Sequence, residues 1–199
     1  MSSKVDTWVS EITQLAAIAK QEPQAAYAAF TQGLRHRWTY VMRTVADISQ
    51  LLHPMEEAIK TIFIPALVGQ NVNEDERALI SLPPRLGGLG IVKPQEMCDA
   101  EYTNSKTLTE QLTSFIITQN VDGEIDKDKL KKSKQEIRLQ RRQHQEGILE
   151  NLKGKMEPDK LRLLEASLEK GASNWLSCLP LTDYGFNINK QEFCDSLKL

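Results

Sequence analysis

Basic side chains at helical spacing are the residues of this chain with the clearest chemistry. Positions 127 to 142 hold eight Lys or Arg and two acids, a net charge of +6. Phosphates of a nucleic-acid duplex carry charges at comparable spacing, so this segment predicts salt-dependent binding to a duplex backbone. On a helix, six of the bases would form one stripe about 22 Å long. These candidate nucleic-acid-binding residues are Lys127, Lys131, Lys134, Arg138, Arg141 and Arg142.

Two other interpretations of the basic segment stay open at this point. The same charges on a solvated helix would only keep the protein in solution. A short run rich in Lys and Arg is also typical of a nuclear-localisation patch. A second basic group, Arg35, Arg37 and Arg43, accompanies Trp38. Because Trp38 falls on an apolar helical stripe, we expect it in the core rather than stacked on a base.

Other residue types that do chemistry are present but scattered. The three cysteines and three histidines lie far apart, which predicts no metal site, no cofactor and no disulfide framework. The glycines at 87, 88 and 90 fit neither phosphate-binding glycine motif and predict a tight turn. No two aspartates are adjacent, so a two-metal polymerase site of the usual kind is not encoded. We therefore expect that the chain is not an enzyme by itself.

Apolar residues at spacings of three and four predict that helices position these side chains. The stripe from Tyr27 to Val45 is the most regular. Pro65 is expected to kink or end a helix, and Gly171 to close one. Further helix starts are predicted at residues that cap a helix or suit its first turn. These are Pro23, Asn73, Pro94, Pro158 and Asn189.

The predicted fold class is mainly α. It is a multi-helix domain with a short glycine-rich irregular or β element near residues 85–93 and a projecting basic helix. Residues 1–122 should form a compact helical region and residues 123–155 a basic, exposed helix. Residues 156–199 should form a helix, a loop and a last helix that runs off the end, as in a truncated chain. The turn at 120–126 marks the boundary, because the net charge is −6 over residues 1–126 and changes sign directly after it.

Composition narrows the class of protein further. The chain has 199 residues, of which 40% are hydrophobic and 26% charged, so it is long enough for a core and too apolar for wholesale disorder. Its net charge of −2 excludes a uniformly basic nucleic-acid binder. No stretch approaches the roughly 20 apolar residues of a membrane-spanning helix, and no signal peptide is evident. We expect a cytoplasmic or nuclear protein with no membrane partner.

Three phrases of the sequence stand in a distinctive order. They are AYAAF (26–30) with RWTY (37–40) and RTV (43–45), then LPPRLGGLGI (82–91), then ASNWLSCLPL (172–181) with GFNI (185–188) and EFCDSL (192–197). In that order they resemble the region directly after the reverse transcriptase domain in retroelement-like polyproteins of invertebrates. The similarity covers most of the chain.

The resemblance implies a helical thumb- or connection-like region that grips the template–primer, an RNA–DNA or DNA duplex. It also implies an upstream polymerase domain as a partner. The catalytic aspartates of that domain would lie before Met1, and a Cys/His-rich segment and a nuclease-like domain beyond Leu199. No catalytic residue carries over, and the chain would be a fragment of the polyprotein.

These observations predict a function without catalysis. The chain would be a nucleic-acid-gripping segment of a retroelement reverse-transcriptase polyprotein, or a remnant of one. The alternative is a stand-alone helical protein-interaction module that binds no nucleic acid. A tight protein complex that is insensitive to salt would favour this alternative.

Overall fold

The computed structural model of the protein describes residues 2–120 and 123–197. Within these ranges the chain forms α-helices joined by short 3-10 and π segments, with no β-strand, which confirms the mainly α fold. Val121 and Asp122, part of the turn expected between two segments, lie outside the described residues, as do Lys198 and Leu199. The helices are α1 (Ser2–Ala19), α2 (Pro23–Ala29), α3 (His36–Thr44), α4 (His53–Ala58), α5 (Ile64–Val68), α6 (Glu74–Ser81), α7 (Pro94–Ile117), α8 (Lys127–Lys153), α9 (Pro158–Ser167) and α10 (Lys190–Ser196).

Both predicted asparagine caps are confirmed. Asn73 Oδ1 accepts a hydrogen bond from the amide of Glu76 at 2.9 Å, and Glu76 Oε2 accepts one from the amide of Asn73 at 3.0 Å. Asn189 and Glu192 repeat this reciprocal pair, at 2.9 Å in both directions. Each pair satisfies two amides that have no partner inside the helix, so α6 and α10 begin where the local sequence predicts.

The predicted helix ends have different outcomes. Pro65, expected to kink or end a helix, ends none: a π segment (Ile59–Phe63) interrupts the α-helical pattern directly before it and places it in the first turn of α5, where the missing amide hydrogen costs little. The prediction that Gly171 closes α9 was wrong, because α9 ends at Ser167. Turns with hydrogen bonds between residues three apart follow, and Gly171 takes its positive φ of 93° in this connection. The last helix, α10, spans Lys190–Ser196, and the prediction that it runs off the end of the chain falls on residues 198 and 199, which lie outside the described residues.

Aromatic and aliphatic side chains from α1 to α5 form the larger core. Phe30 stacks on Phe63 with 4.6 Å between ring centroids, and Trp38 meets Phe30 at 6.0 Å and Trp8 at 6.1 Å. Trp38 is almost completely buried, which confirms the interpretation that it belongs to the core. Phe193 of α10 joins the same cluster. Burial of each such side chain contributes about 1.5–3 kcal/mol relative to exposure.

A smaller leucine cluster anchors the C-terminal half of α8. Leu149 and Leu152 of α8 are buried there together with Leu164 of α9. They pack against α6 and the turn that follows it, through Leu79, Leu82 and Leu86. The end of the basic helix is therefore held by apolar packing.

The glycine-rich segment takes an irregular course. After a 3-10 turn (Pro84–Leu86), the amides of Leu89 and Ile91 both donate to the carbonyl of Ile80, at 3.1 and 3.2 Å. Gly88 lies so close to the carbonyls of Leu79 and Leu82 that a Cβ atom would overlap them. Glycine is thus required at position 88 by close backbone approach.

Four successive carbonyls of this segment accept hydrogen bonds from side chains. Tyr27 Oη donates to the Leu89 carbonyl at 2.8 Å, and Arg35 Nη1 donates to the Gly90 carbonyl at 3.3 Å. The fully buried Arg77 donates to the next two carbonyls, Ile91 and Val92, at 2.7 and 3.2 Å. Its Nε and Nη2 also donate to the two carboxylate oxygens of Glu56, at 2.8 and 2.9 Å.

Helices α7 and α8 run antiparallel and form a hairpin. Lys129 Nζ pairs with Glu110 Oε2 at 3.2 Å, and the side chain of Gln111 bonds the amide and the carbonyl of Asp126, at 2.7 and 3.3 Å. Of the described residues between 102 and 148, none is buried. The part of the hairpin formed by residues 102–120 and 123–140, called the distal hairpin below, therefore lies outside both cores.

Candidate nucleic-acid interface

The start of α8 sets the direction of its basic side chains. Asp126 caps the helix, since its Oδ1 accepts hydrogen bonds from the amides of Asp128 at 3.0 Å and Lys129 at 2.9 Å. The helix then continues without a break to Lys153. At about 100° per residue, five basic side chains fall within an arc of about 80°. These are Lys127, Lys131, Lys134, Arg138 and Arg142, called the cationic face below.

The cationic face is exposed, and its charges are not neutralised by the rest of the protein. All five side chains are exposed, and none forms an ion pair with any residue in the described ranges. The two acids in this part of α8, Asp128 and Glu136, lie about 100° and 180° away from Lys127 on a regular helix. The face therefore carries charge of one sign.

Arg141 differs from the other bases that the sequence grouped together. Its Nη2 donates to Glu101 Oε1 at 2.6 Å. Glu101 is only 5% exposed, and its second oxygen accepts a hydrogen bond from Arg43 Nε at 2.9 Å. One buried carboxylate thus joins α3, α7 and α8. Arg141 fixes the position of the helix, and its charge is shared with Glu101.

Sequence reasoning missed Glu101 and Arg43 as partners of the basic helix. A signal for Glu101 is present in the sequence. The buried side of α7 consists of Pro94, Cys98 and Glu101, at positions i, i+4 and i+7. An acid at the third position of an apolar stripe needs a buried partner, because an unpaired charge there would be costly.

Groups suited to covalent or metal chemistry are not assembled elsewhere in the described residues. No group of three or more His, Cys, Asp or Glu within 2–120 and 123–197 could hold a metal ion. Burial raises the pKa of the Cys98 thiol, which favours its unreactive protonated form. A cavity of about 350 Å³ opens between the N-terminal part of α7 and the middle of α8, beside Glu101, Arg141 and His144. Of the two acids that line it, Glu101 is already paired with two arginines and Glu96 with Lys93.

The fold and the site define an all-α protein with a cationic hairpin. No protein-family model, no curated protein and no solved structure matches the chain. A search of the described residues finds no helix with the length and apolar character needed to cross a membrane.

Proposed function

We propose that the chain is a non-catalytic module that binds the phosphate backbone of a nucleic-acid duplex through the cationic face of α8. The observation that carries this proposal is a row of five exposed cations that form no ion pair with any described residue and have no acid among them. The resemblance favours an RNA–DNA or DNA duplex as the ligand and an upstream polymerase domain as a neighbour. It also favours a role as a segment, or a remnant, of a retroelement reverse-transcriptase polyprotein.

The length of the cationic face suits a duplex. From Lys127 to Arg142 the helix rises about 22 Å, which is the axial length of about six base pairs. If all five cations contact phosphates, the logarithm of the binding constant should fall with the logarithm of salt concentration with a slope near −4.5. Such a slope would separate phosphate binding from a face that is only solvated.

The way α8 is held also supports binding by a preorganised surface. Leu149 and Leu152 anchor its C-terminal half in the leucine cluster, and Arg141 joins its middle to buried Glu101. The cations themselves contribute nothing to this packing. The unbroken helix thus sets the spacing of the cations before the duplex arrives, so binding has to order mainly their side chains.

Charge reversal on the cationic face tests the proposal. The variant is Lys131→Glu, Lys134→Glu and Arg138→Glu in the full chain. The matched control reverses three exposed lysines elsewhere, Lys4, Lys20 and Lys170, and so has the same net charge. Fluorescence anisotropy with labelled DNA and RNA–DNA duplexes gives the affinity and its salt dependence.

We expect the α8 variant to lose duplex binding and the control to keep most of it. Equal losses in the two variants would mean that only net charge matters, and an unchanged affinity in the α8 variant would exclude this face as the contact. Circular dichroism melting curves check that both variants are folded. Because every substituted side chain is exposed, we expect changes below about 0.5 kcal/mol in the free energy of unfolding.

A second candidate function, a protein-interaction module, is favoured by one specific surface. Tyr184 and Phe186 are exposed and stacked on each other at 6.0 Å between centroids, with Leu179 and Leu181 exposed nearby in the chain. The buried side chain of Gln24 holds this segment through the carbonyl of Phe186 at 2.9 Å. Exposed apolar patches of this kind mark protein-binding surfaces. A complex that resists salt and is lost in Tyr184→Ser/Phe186→Ser would establish this function instead.

A further inference from the structure

Arg85 is an exposed cation that belongs to the glycine-rich segment rather than to α8. It lies in the 3-10 turn Pro84–Leu86, directly before the glycines. Its Nη2 donates a hydrogen bond to Oε1 of Gln145 on α8, at 2.7 Å. Gln145 is neutral, and Arg85 forms no ion pair with any residue in the described ranges. The positive charge of Arg85 therefore stays available to a ligand.

Gln145 holds this arginine in line with the cationic face. It follows Lys127 by eighteen residues, which is about five full turns of a helix, so the two side chains project from the same side of α8. Along the axis Gln145 lies about 4.5 Å beyond Arg142, the last member of the cationic face. Arg85 thus continues the row by one cation that comes from a distant part of the sequence.

The leucine cluster brings the glycine-rich segment to this same side of α8. On a regular helix Leu149 and Leu152 lie within about 40° of the direction of Gln145. Both are buried in the cluster that also contains Leu86, the neighbour of Arg85. The side of α8 that is cationic at its beginning is therefore covered at its end by the turn that carries Arg85. A ligand that lies along the cationic face meets Arg85 there.

The charges of α8 beside Arg85 are predominantly positive. Residues 138–146 include three arginines and a single acid, Glu146. Glu146 lies about 100° from Gln145 around the helix, to one side of the row. The buried acid beneath this part of α8, Glu101, is already paired with two arginines. The end of the row therefore attracts an anion.

The acids of the other helices in the leucine cluster do not neutralise this end. All three acids in the first turn of α6 are paired with lysines. In α9, Glu165 directly follows buried Leu164, so it lies about 100° from the side of α9 that faces the cluster. Arg85 keeps its charge among these neighbours.

We infer that Arg85 is a further phosphate-binding residue, so that the contact with the duplex extends from the distal hairpin to the glycine-rich turn. Its guanidinium has five donors, of which Gln145 accepts one, and a planar set of donors suits a phosphate. The contact is then about 27 Å long, the axial length of about eight base pairs. Gln145 is a positioning residue, because it holds the guanidinium at the end of the row. This inference rests on the proposed function, since Arg85 extends the same contact on the same duplex.

The test is Arg85→Gln in the full chain, with Arg162→Gln as the matched control. Arg162 is an arginine of α9 whose side chain is 81% exposed, so the two variants have the same net charge and the same kind of substitution. Arg85→Lys and Gln145→Ala complete the set. Anisotropy with labelled DNA and RNA–DNA duplexes measures the affinity of each protein at several salt concentrations.

We expect a salt slope of about −5.4 for the wild type, because six cations contact phosphates instead of five. Arg85→Gln should bring the slope to about −4.5 and weaken binding about three- to tenfold near ~0.1 M salt. Arg162→Gln should keep the wild-type slope. Arg85→Lys should keep it as well, since lysine binds phosphate as a point charge. Gln145→Ala removes no charge and should weaken binding less than Arg85→Gln does.

Each failure has its own signature. Wild-type affinity and slope in Arg85→Gln would overturn this inference and leave the proposed function intact. Equal losses in Arg85→Gln and Arg162→Gln would mean that only net charge matters, which overturns it as well. A loss in Arg85→Gln that comes with a lower melting temperature and is not restored in Arg85→Lys would assign Arg85 a structural role instead. No binding of either duplex by the wild type would overturn both this inference and the proposed function.

Discussion

Arg141 donates a 2.6 Å hydrogen bond to the buried carboxylate of Glu101. The next residue in the sequence, Arg142, is exposed and has no ion-pair partner among the described residues. Two successive arginines therefore have different roles: one fixes the helix to the protein, and the other faces solvent beside the lysines. The pair offers a way to separate stability from binding.

We predict that Arg141→Gln lowers the free energy of unfolding by about 1–2 kcal/mol, because Glu101 loses one of two charged partners in a buried position. This range is below that for a fully buried pair, since the Arg141 side chain is half exposed. Arg142→Gln should change stability by less than about 0.5 kcal/mol. Urea denaturation followed by circular dichroism measures both.

The same two variants should rank in the opposite order when their effect on duplex binding is measured. Arg142→Gln should reduce the magnitude of the salt slope for duplex binding by about one, as expected for the loss of one phosphate contact. Arg141→Gln should leave the slope near that of the wild type under conditions where the protein is folded. An equal reduction of the slope in both variants would place Arg141 in the interface and contradict the separation of roles.

Two glycines should respond in opposite ways to alanine. Gly88→Ala places a Cβ atom against the carbonyl oxygens of Leu79 and Leu82, and neither backbone can move without disturbing the end of α6. We expect a loss of about 2–4 kcal/mol in the free energy of unfolding. Gly147→Ala meets open space on α8 and should stabilise the protein by about 0.5–1 kcal/mol. Thermal and urea unfolding of the two variants measure both changes in the free energy of unfolding.

The sequence allowed prediction of the features that have a local signal. Asn73 and Asn189 precede acids at the third helical position, so the capping pairs and the starts of α6 and α10 could be predicted. Trp38 lies on a regular apolar stripe, and its burial followed from that spacing. The placement of Lys131 and its neighbours on one helical face likewise needs only the period of the helix.

Features that depend on distant partners could not be predicted. Glu101 is 58 residues from Arg43 and 40 from Arg141, so no local pattern pairs them. The course past Pro65 was missed because a π segment shifts the position of proline within the helix. Whether Arg141 contacts phosphate or protein likewise depends on a carboxylate of another helix.

Arg77 should be the least replaceable basic residue of the core. It is fully buried, holds both carboxylate oxygens of Glu56 and bonds two carbonyls of the glycine-rich segment. Lysine has the charge but not the planar set of donors, so Arg77→Lys should cost about 3 kcal/mol of unfolding free energy. Arg35→Lys, which removes a single 3.3 Å bond from a half-buried side chain, should cost less than about 1 kcal/mol. Similar losses in the two variants in urea denaturation would contradict this ranking.

Tyr27 should make stability fall at alkaline pH. Burial raises the pKa of Tyr27 from 10.0 to about 12, although the nearby Arg35 partly opposes the shift. A phenol whose pKa is higher in the folded protein contributes stability below pH 10 that is lost as the pH rises from 10 to about 12. At about 1.4 kcal/mol per pH unit of pKa difference, the loss is about 2–3 kcal/mol.

Tyr27→Phe should be about 1 kcal/mol less stable than the wild type at neutral pH, because the hydrogen bond to the Leu89 carbonyl is absent. The two unfolding free energies, measured in urea at a series of pH values, should then converge and cross between pH 10 and 12, where phenolate absorbance reports the titration. Curves that stay parallel through this range would show that the buried hydroxyl does not couple folding to pH.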